Sequence, residues 1–254
     1  MVTDRLENLK GIIQYLMADL DISHQIPHTL EERQRMMRAL MNVWIPKPID
    51  MAFLTAQDAE LQMQREEKGV VTPTGEGLML WQGDITRLKV DAIVNAANAQ
   101  ALGCWSPLHN CIDNCIHSAA GIQLRKECAD IMRGGLLETG DAIITQGYNL
   151  PAKHVIHTVG PIIESGQPTE LQKEQLALCY RSCLDLAEKH QLQSIAFCCI
   201  STGVFHFPNE LAAEIAVKTV KEYPLHSLKT IVFNVFLDKD RDIYEQLLGA
   251  CPMA

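Results

Sequence analysis

No apolar run in this 254-residue chain approaches the roughly 20 residues that a bilayer-spanning helix needs. The first ten residues, MVTDRLENLK, carry acids where a secretory leader has a basic head and an apolar stretch. The cytoplasm is therefore the expected location. Positive charge is also scarce: 22 Lys and Arg stand against 31 Asp and Glu, a net charge of −9. That excludes broad affinity for nucleic acid or anionic membrane, both of which need a positive field. It does not exclude an anionic ligand, because backbone N–H groups and a helix N-terminus hold a diphosphate without net positive charge. There is neither an internal repeat nor a low-complexity segment. The nine cysteines are an odd number and, without an export signal, read as reduced thiols or metal ligands, not a disulfide framework. With 47% hydrophobic and 21% charged residues, the composition is that of an ordinary globular protein long enough to bury a working core.

Two textures divide the chain. In the first block, Leu6, Leu9, Ile12, Ile13, Leu16, Met17 and Leu20 recur at helical spacing. Thr29 with Glu32 forms a capping-box pattern opening a second helix through about Trp44. Pro46 and Pro48 end it, and a third, more polar helix is expected from Thr55 to Lys68. After Gly69, short β-rich runs alternate with helical patterns. Strands are expected at 78–81, 92–95, 142–145, 154–158, 194–200 and 230–237, and helices at about 112–132, 169–190, 209–222 and 239–249. The near-continuously apolar SIAFCCI and TIVFNVF predict strands buried on both faces. The expected architecture is a three-layer α/β/α domain over 71–254 with a mixed, mostly parallel central sheet, preceded by an all-helical extension over 1–70.

Three loops fall just beyond strand ends, where such folds bind ligands. One is Gly83-Asp84-Ile85-Thr86. Another joins Asn98, at the end of VDAIVNAAN (Val90 to Asn98), to the helix containing Asp113. The third, Ser201-Thr202-Gly203-Val204-Phe205, leads through Pro208 into a helix, the position of a phosphate cradle. Taken singly, these residues have plainer readings: Asp84 as a turn cap, Asn95 and Asn98 as turn formers, Phe236 as core.

In order, GDIT, VDAIVNAAN, HTVGP (His157 to Pro161) and STGVF resemble the macrodomain family of ADP-ribose-binding modules, over roughly 75–250. The resemblance implies that Asp84 recognises the adenine amino group with the Ile85 backbone beside it. Backbone amides of Ser201, Thr202, Gly203, Val204 and Phe205 would wrap the diphosphate, and Asn234 and Phe236 would flank the adenine. In the hydrolytic branch of the family, Asn98 and Asp113 would sit at the distal ribose. His206 stands where the family often has glycine.

One departure bears on chemistry. Where hydrolytic macrodomains have a run of glycines, this chain has Gly103-Cys104-Trp105-Ser106-Pro107-Leu108-His109-Asn110-Cys111-Ile112-Asp113. Cys104, His109 and Cys111, spaced C-x4-H-x-C, supply two thiolates and an imidazole, a ligand set that suits Zn2+, one per chain. Buried, reduced cysteines at a helix start are the competing reading. Three protein ligands would leave a fourth position open, as in catalytic sites; Cys115, one turn beyond Cys111, is the candidate for closing it. Trp105 either packs this loop or contacts ligand. Cys128, Cys179, Cys183, Cys198, Cys199 and Cys251 read as core or surface thiols. The loop resembles the zinc-containing branch of the family, which often carries an N-terminal helical extension.

The resemblance implies a hydrolase that cleaves the glycosidic bond between mono-ADP-ribose and a protein side chain, with Asn98 and Asp113 catalytic. An open zinc position would either acidify a water or orient the distal ribose. A non-catalytic ADP-ribose reader, an O-acetyl-ADP-ribose deacetylase and a docking module with structural zinc are the alternatives. By resemblance alone, the partners are ADP-ribosylated proteins, with a sirtuin-type ADP-ribosyltransferase and a lipoate-carrying protein the first to test.

Overall fold

The computed structural model describes residues 2–164 and 166–249. Its sheet comprises β1 (Gly77–Gln82), β2 (Ala92–Ala96), β3 (Ala142–Gln146), β4 (His154–Thr158), β5 (Ser194–Phe197) and β6 (Thr230–Val235). Their spatial order is β1-β6-β5-β2-β4-β3, and every pairing is parallel except that of β3 with β4 at one edge. The five parallel strands therefore end on the same side. Their following loops line one rim in the order Gly83, Phe236, Cys198, Ala97, Val159, so the topology alone spreads the candidate site residues along a single edge.

Three helices precede the sheet: α1 (Val2–Asp19), α2 (Leu30–Val43) and α3 (Met51–Lys68). Thr29 caps α2, its hydroxyl oxygen accepting the Glu32 N–H at 3.3 Å as the capping pattern predicts. Within the sheet region, α4 (Ile112–Ala120) and α5 (Ile122–Met132) pack on β2 and β3. The helices α6 (Glu170–Lys189), α7 (Asn209–Glu222) and α8 (Asp238–Leu248) cover the other face. This placement follows from right-handed crossovers, since β2 to β4 and β4 to β5 run in opposite directions across the sheet.

Tyr180, Phe197, Phe233 and Tyr244 form a chain of tilted and stacked rings, with centroids 5.0, 6.4 and 5.2 Å apart, between the sheet and the α6–α8 layer. A separate apolar cluster fills the three N-terminal helices, built on Leu9, Ile12, Leu16, Met37, Trp44 and Phe53, and Ile122 of α5 completes it. Each such side chain contributes about 1.5–3 kcal/mol by leaving water. Through Ile122 the extension's core reaches into the body. Polar contacts reinforce this seam: Gln57 accepts the Ile122 N–H at 3.0 Å, Asn149 donates to Asp58 at 2.6 Å, and Asn42 donates to Ser118 at 3.0 Å.

Several boundaries differ from the sequence expectation. The helix expected over 112–132 is two, because Gly121 takes φ +103°; a Cβ there would stand 2.4 Å from Gln123 and 2.8 Å from Gln57. The third helix begins at Met51, four residues early, since Asp50 caps it by accepting the Ala52 and Phe53 N–H groups. β5 ends at Phe197 and β6 at Val235, each shorter than its apolar run. Of the remaining cysteines, Cys128, Cys179, Cys183 and Cys198 are buried, Cys199 is half-buried, and Cys251 lies outside the described residues.

Candidate active site

At the β1 end of the rim, Asp84 caps a short 3-10 turn over Ile85–Arg87. Its carboxylate accepts the Thr86 N–H at 3.0 Å and the Thr86 hydroxyl at 2.7 Å. Its second oxygen meets Lys68 of α3 at 3.2 Å. Burial opposes ionisation, but the Thr86 hydrogen bonds and the Lys68 charge outweigh it and hold the carboxyl below its usual range. The Ile85 side chain is buried in the core. Asn234 is buried as well and donates to the Gly83 carbonyl at 2.9 Å, so it supports the Asp84 loop from beneath. Phe236, just past β6, is 72% exposed, a large apolar face left open on the same edge as Asp84.

The middle of the rim is the loop after β5. Ser201 takes a left-handed φ of +65° and His206 one of +57°, so His206 adopts the conformation that a glycine favours while its imidazole points to solvent. Phe207 N–H bonds back to the Ser201 carbonyl at 3.0 Å and closes the loop, leaving Gly203 and Val204 exposed at its crest. Phe205 is half-buried, and its carbonyl accepts the Ile163 N–H at 2.8 Å. Thr202 turns its hydroxyl inward to the Cys199 carbonyl at 3.0 Å. Gly160, whose role the HTVGP pattern did not disclose, makes this clasp possible: a Cβ there would stand 1.9 Å from the Ser201 hydroxyl oxygen. That buried hydroxyl has no hydrogen-bond partner among the described residues.

At the β2 end, two asparagines converge on one buried carboxylate. Asn95 donates to one oxygen of Asp113 at 2.7 Å, and Asn98 lies 3.4 Å from the other while also donating to the Gly103 carbonyl at 3.1 Å. Burial raises the Asp113 carboxyl to about 6, although the Asn95 hydrogen bond and the Arg125 charge pull the other way. Asn95, read singly as a turn former, therefore touches the candidate catalytic carboxyl directly. Its amide nitrogen also reaches His157 Nδ1 at 3.1 Å. An amide N–H must donate there, which leaves Nδ1 without a proton and makes Nε2 the donor to the Thr145 hydroxyl at 3.0 Å. Burial pushes His157 down to about 3, in keeping with this neutral, saturated ring.

Cys104, His109 and Cys111 come together as the spacing predicts. Their ligand atoms lie within 4.8 Å of one another, with His109 exposed and both cysteines half-buried. Zn–S near 2.3 Å and Zn–N near 2.05 Å on tetrahedral axes imply about 3.6 Å between sulfur and nitrogen. Cys104 Sγ and His109 Nδ1 are 3.6 Å apart. Cys111 caps α4, its sulfur accepting the Asn114 N–H at 3.4 Å. There the helix N-terminus favours a thiolate once a cation offsets burial, which otherwise lifts the thiol to about 12. The residues present thus fit the ion. Cys115 is not in this group: its sulfur faces Arg38 at 3.8 Å. His117, Cys128 and His157 form a second, buried cluster within 4.8 Å, but His157 has spent both nitrogens on Asn95 and Thr145, so this cluster reads as core.

The extension holds this loop in place. Arg38 donates to the His109 carbonyl at 2.9 Å and the Asn114 side chain at 2.8 Å, and Asn42 accepts the Leu108 N–H at 2.9 Å. Arg125 caps the end of α2 through the Asn42 and Trp44 carbonyls at 2.8 and 3.0 Å and reaches the Cys104 carbonyl at 3.3 Å. Trp105 packs the loop, with its ring 4.1 Å from the Arg125 guanidinium. Nothing in the sequence patterns singled out Arg38, Asn42 or Arg125, because their bonds join residues 21 to 83 positions apart.

Comparison with known proteins agrees with this arrangement. The family model described as "Macro domain" matches residues 94–216. A protein-ADP-ribose hydrolase of Treponema medium is 50% identical over 253 residues, covering 94% of this chain and 97% of its own. One from Staphylococcus aureus (strain MSSA476) is 45% identical over 258 residues, covering 96% and 97%. Among solved structures, an Oceanobacillus iheyensis macrodomain mutant with ADPR superposes with a TM-score of 0.63 at 38% identity, covering 69% of this chain and 94% of that one.

Proposed function

The chain belongs to the macrodomain family, and from that premise we propose that it is a protein-ADP-ribose hydrolase, releasing ADP-ribose from mono-ADP-ribosylated side chains at the Asn98–Asp113 end of the rim. The observation that carries this reading is the buried Asp113 carboxylate, held between Asn95 and Asn98 beside the Cys104–His109–Cys111 group. A pure reader of ADP-ribose needs the Asp84 and Ser201 ends of the rim but not a carboxyl whose protonation lies near neutrality.

The substrate lies along the rim. Asp84 accepts the adenine amino hydrogens, and Phe236 offers its exposed ring to the adenine face. Backbone groups of Ser201 to Phe205 face the diphosphate, with Val204 open to solvent above it. Asn98, beside the distal ribose region, donates its two amide hydrogens to the Gly103 carbonyl and to Asp113 and so keeps the carboxylate oriented. Asp113, ionised above about pH 6, takes a proton from the attacking water or stabilises positive charge as the glycosidic bond lengthens. Cys104, His109 and Cys111 would hold Zn2+, which supplies Lewis acidity toward a ribose hydroxyl or a water. Sirtuin-type transferases and lipoate-carrying proteins are the partner classes to assay first. The test is free ADP-ribose released from a mono-ADP-ribosylated protein; binding without release would favour the reader.

A further inference from the structure

A cavity of about 170 Å³ lies between α2, α3 and α4, and none of Asn98, Asp113, Ser201 to Phe205 or Phe236 lines it. Its charged lining is Arg38, Arg65 and Lys68, with no Asp or Glu, in a protein whose net charge is −9. Among the described residues Arg38 has only neutral partners: the Asn114 side chain, the His109 carbonyl and the Cys115 sulfur. Arg65 donates to the Asn149 carbonyl at 3.4 Å and makes no ion pair among the described residues. Both arginines are half-buried. A cation drawn partly out of water without a counter-charge gives up hydration that a bound anion restores, and a planar guanidinium pairs with carboxylate or phosphate oxygens through parallel N–H bonds.

We propose that this cavity is a binding site for a small oxyanion, a phosphate or a carboxylate, distinct from the ADP-ribose rim. The Thr86 and Ser118 side chains add neutral polar groups to the wall, while Met37 and Leu61 give an apolar side that suits the carbon of an organic acid. The site meets the rim directly through Thr86 of the Asp84 loop and indirectly at two further points. Lys68, a lining residue, pairs with Asp84, and Arg38, another, holds the His109 carbonyl. An anion seated here therefore bears on the loop at each end of the rim.

The test uses the full chain labelled with nitrogen-15 and titrated separately with inorganic phosphate and with malonate, following the backbone amides. At least one anion is expected to shift the amides of Arg65, Lys68, Cys115 and Asn149 saturably, and the tighter of the two identifies the ligand chemistry. Arg65→Gln is expected to weaken that binding at least tenfold, while Arg65→Lys, which keeps the charge, stays within a few-fold of wild type. Shifts confined to residues 201–206 would place the anion on the rim and overturn the proposal, as would equal affinity in Arg65→Gln or no saturable shift with either anion.

Discussion

Replacing Asp113 with asparagine should stabilise the metal-free protein at neutral pH while abolishing its activity. Burial raises the carboxyl from 3.8 to about 6, so the folded state binds its proton more tightly than the unfolded chain does. A carboxyl with a raised folded pKa destabilises the fold once ionised: the penalty is absent below pH 3.8, grows through the interval and is complete above about 6. The interval between 3.8 and about 6 corresponds to about 3 kcal/mol at pH 7.5 and about half that at pH 5. The amide introduced by Asp113→Asn would keep the shape and still accept from Asn95 without bearing the charge. For a chain of this size each kcal/mol moves the midpoint by about 2–4 °C, so Asp113→Asn should melt about 6–12 °C above wild type at pH 7.5. The assay is thermal unfolding of chelator-treated wild type and variant at pH 7.5 and 5. A variant less stable than wild type at pH 7.5, or a gap that does not narrow at pH 5, would refute the reasoning.

Further consequences are open to measurement. Hydrolysis should fall below about pH 6, where Asp113 takes up its proton, and an acidic limb unmoved from wild type in a variant lacking this carboxyl would remove it from the chemistry. Gly160→Ala should push the Ser201 hydroxyl out of its place and weaken ADP-ribose binding at least tenfold by calorimetry, with little change in melting of the rest of the fold. Arg125→Ala strips three carbonyls of a buried donor and should lower stability by about 2–4 kcal/mol in urea unfolding. Glu188 is held near 2: burial opposes ionisation, but N–H donors from His226, Ser227 and Leu228 prevail. Because that carboxylate is well solvated, Glu188→Gln should lower stability by only about 1 kcal/mol at pH 7, an effect lost as pH falls through 4.5 toward 2.

The central sheet was legible because β2, β4, β5 and β6 are buried on both faces and announce themselves as apolar runs, and the rim because GDIT and STGVF follow strand ends and NAAN straddles one. Strand and helix limits were less so. The SIAFCCI run continues past Phe197, where the chain has already left the sheet although Cys198 and Ile200 remain buried. Apolarity reports burial, not pairing. Helix 112–132 kept its period across Gly121, and only the left-handed backbone there reveals the break. The Cys104–His109–Cys111 cluster was legible from local spacing, yet Cys115, one turn from Cys111, turns to Arg38 because α2 packs against that face of α4. Asn95 and Asn98 look alike in the sequence; the pleat and the turn send both toward Asp113 from different sides. Asn234 illustrates the converse, a residue expected beside the adenine whose amide is taken up by the Gly83 carbonyl. Partners distant in sequence, such as Arg38 and Arg125, left no local pattern to read.

The most direct measurement pairs metal analysis with turnover. Purified protein should contain one zinc per chain, Cys104→Ala should contain essentially none, and ADP-ribose release from a mono-ADP-ribosylated protein should collapse in the variant while ADP-ribose affinity stays within a few-fold. If metal-free protein with an intact fold released ADP-ribose at the native rate, the claim that Cys104, His109 and Cys111 serve catalysis beside Asp113 would be contradicted.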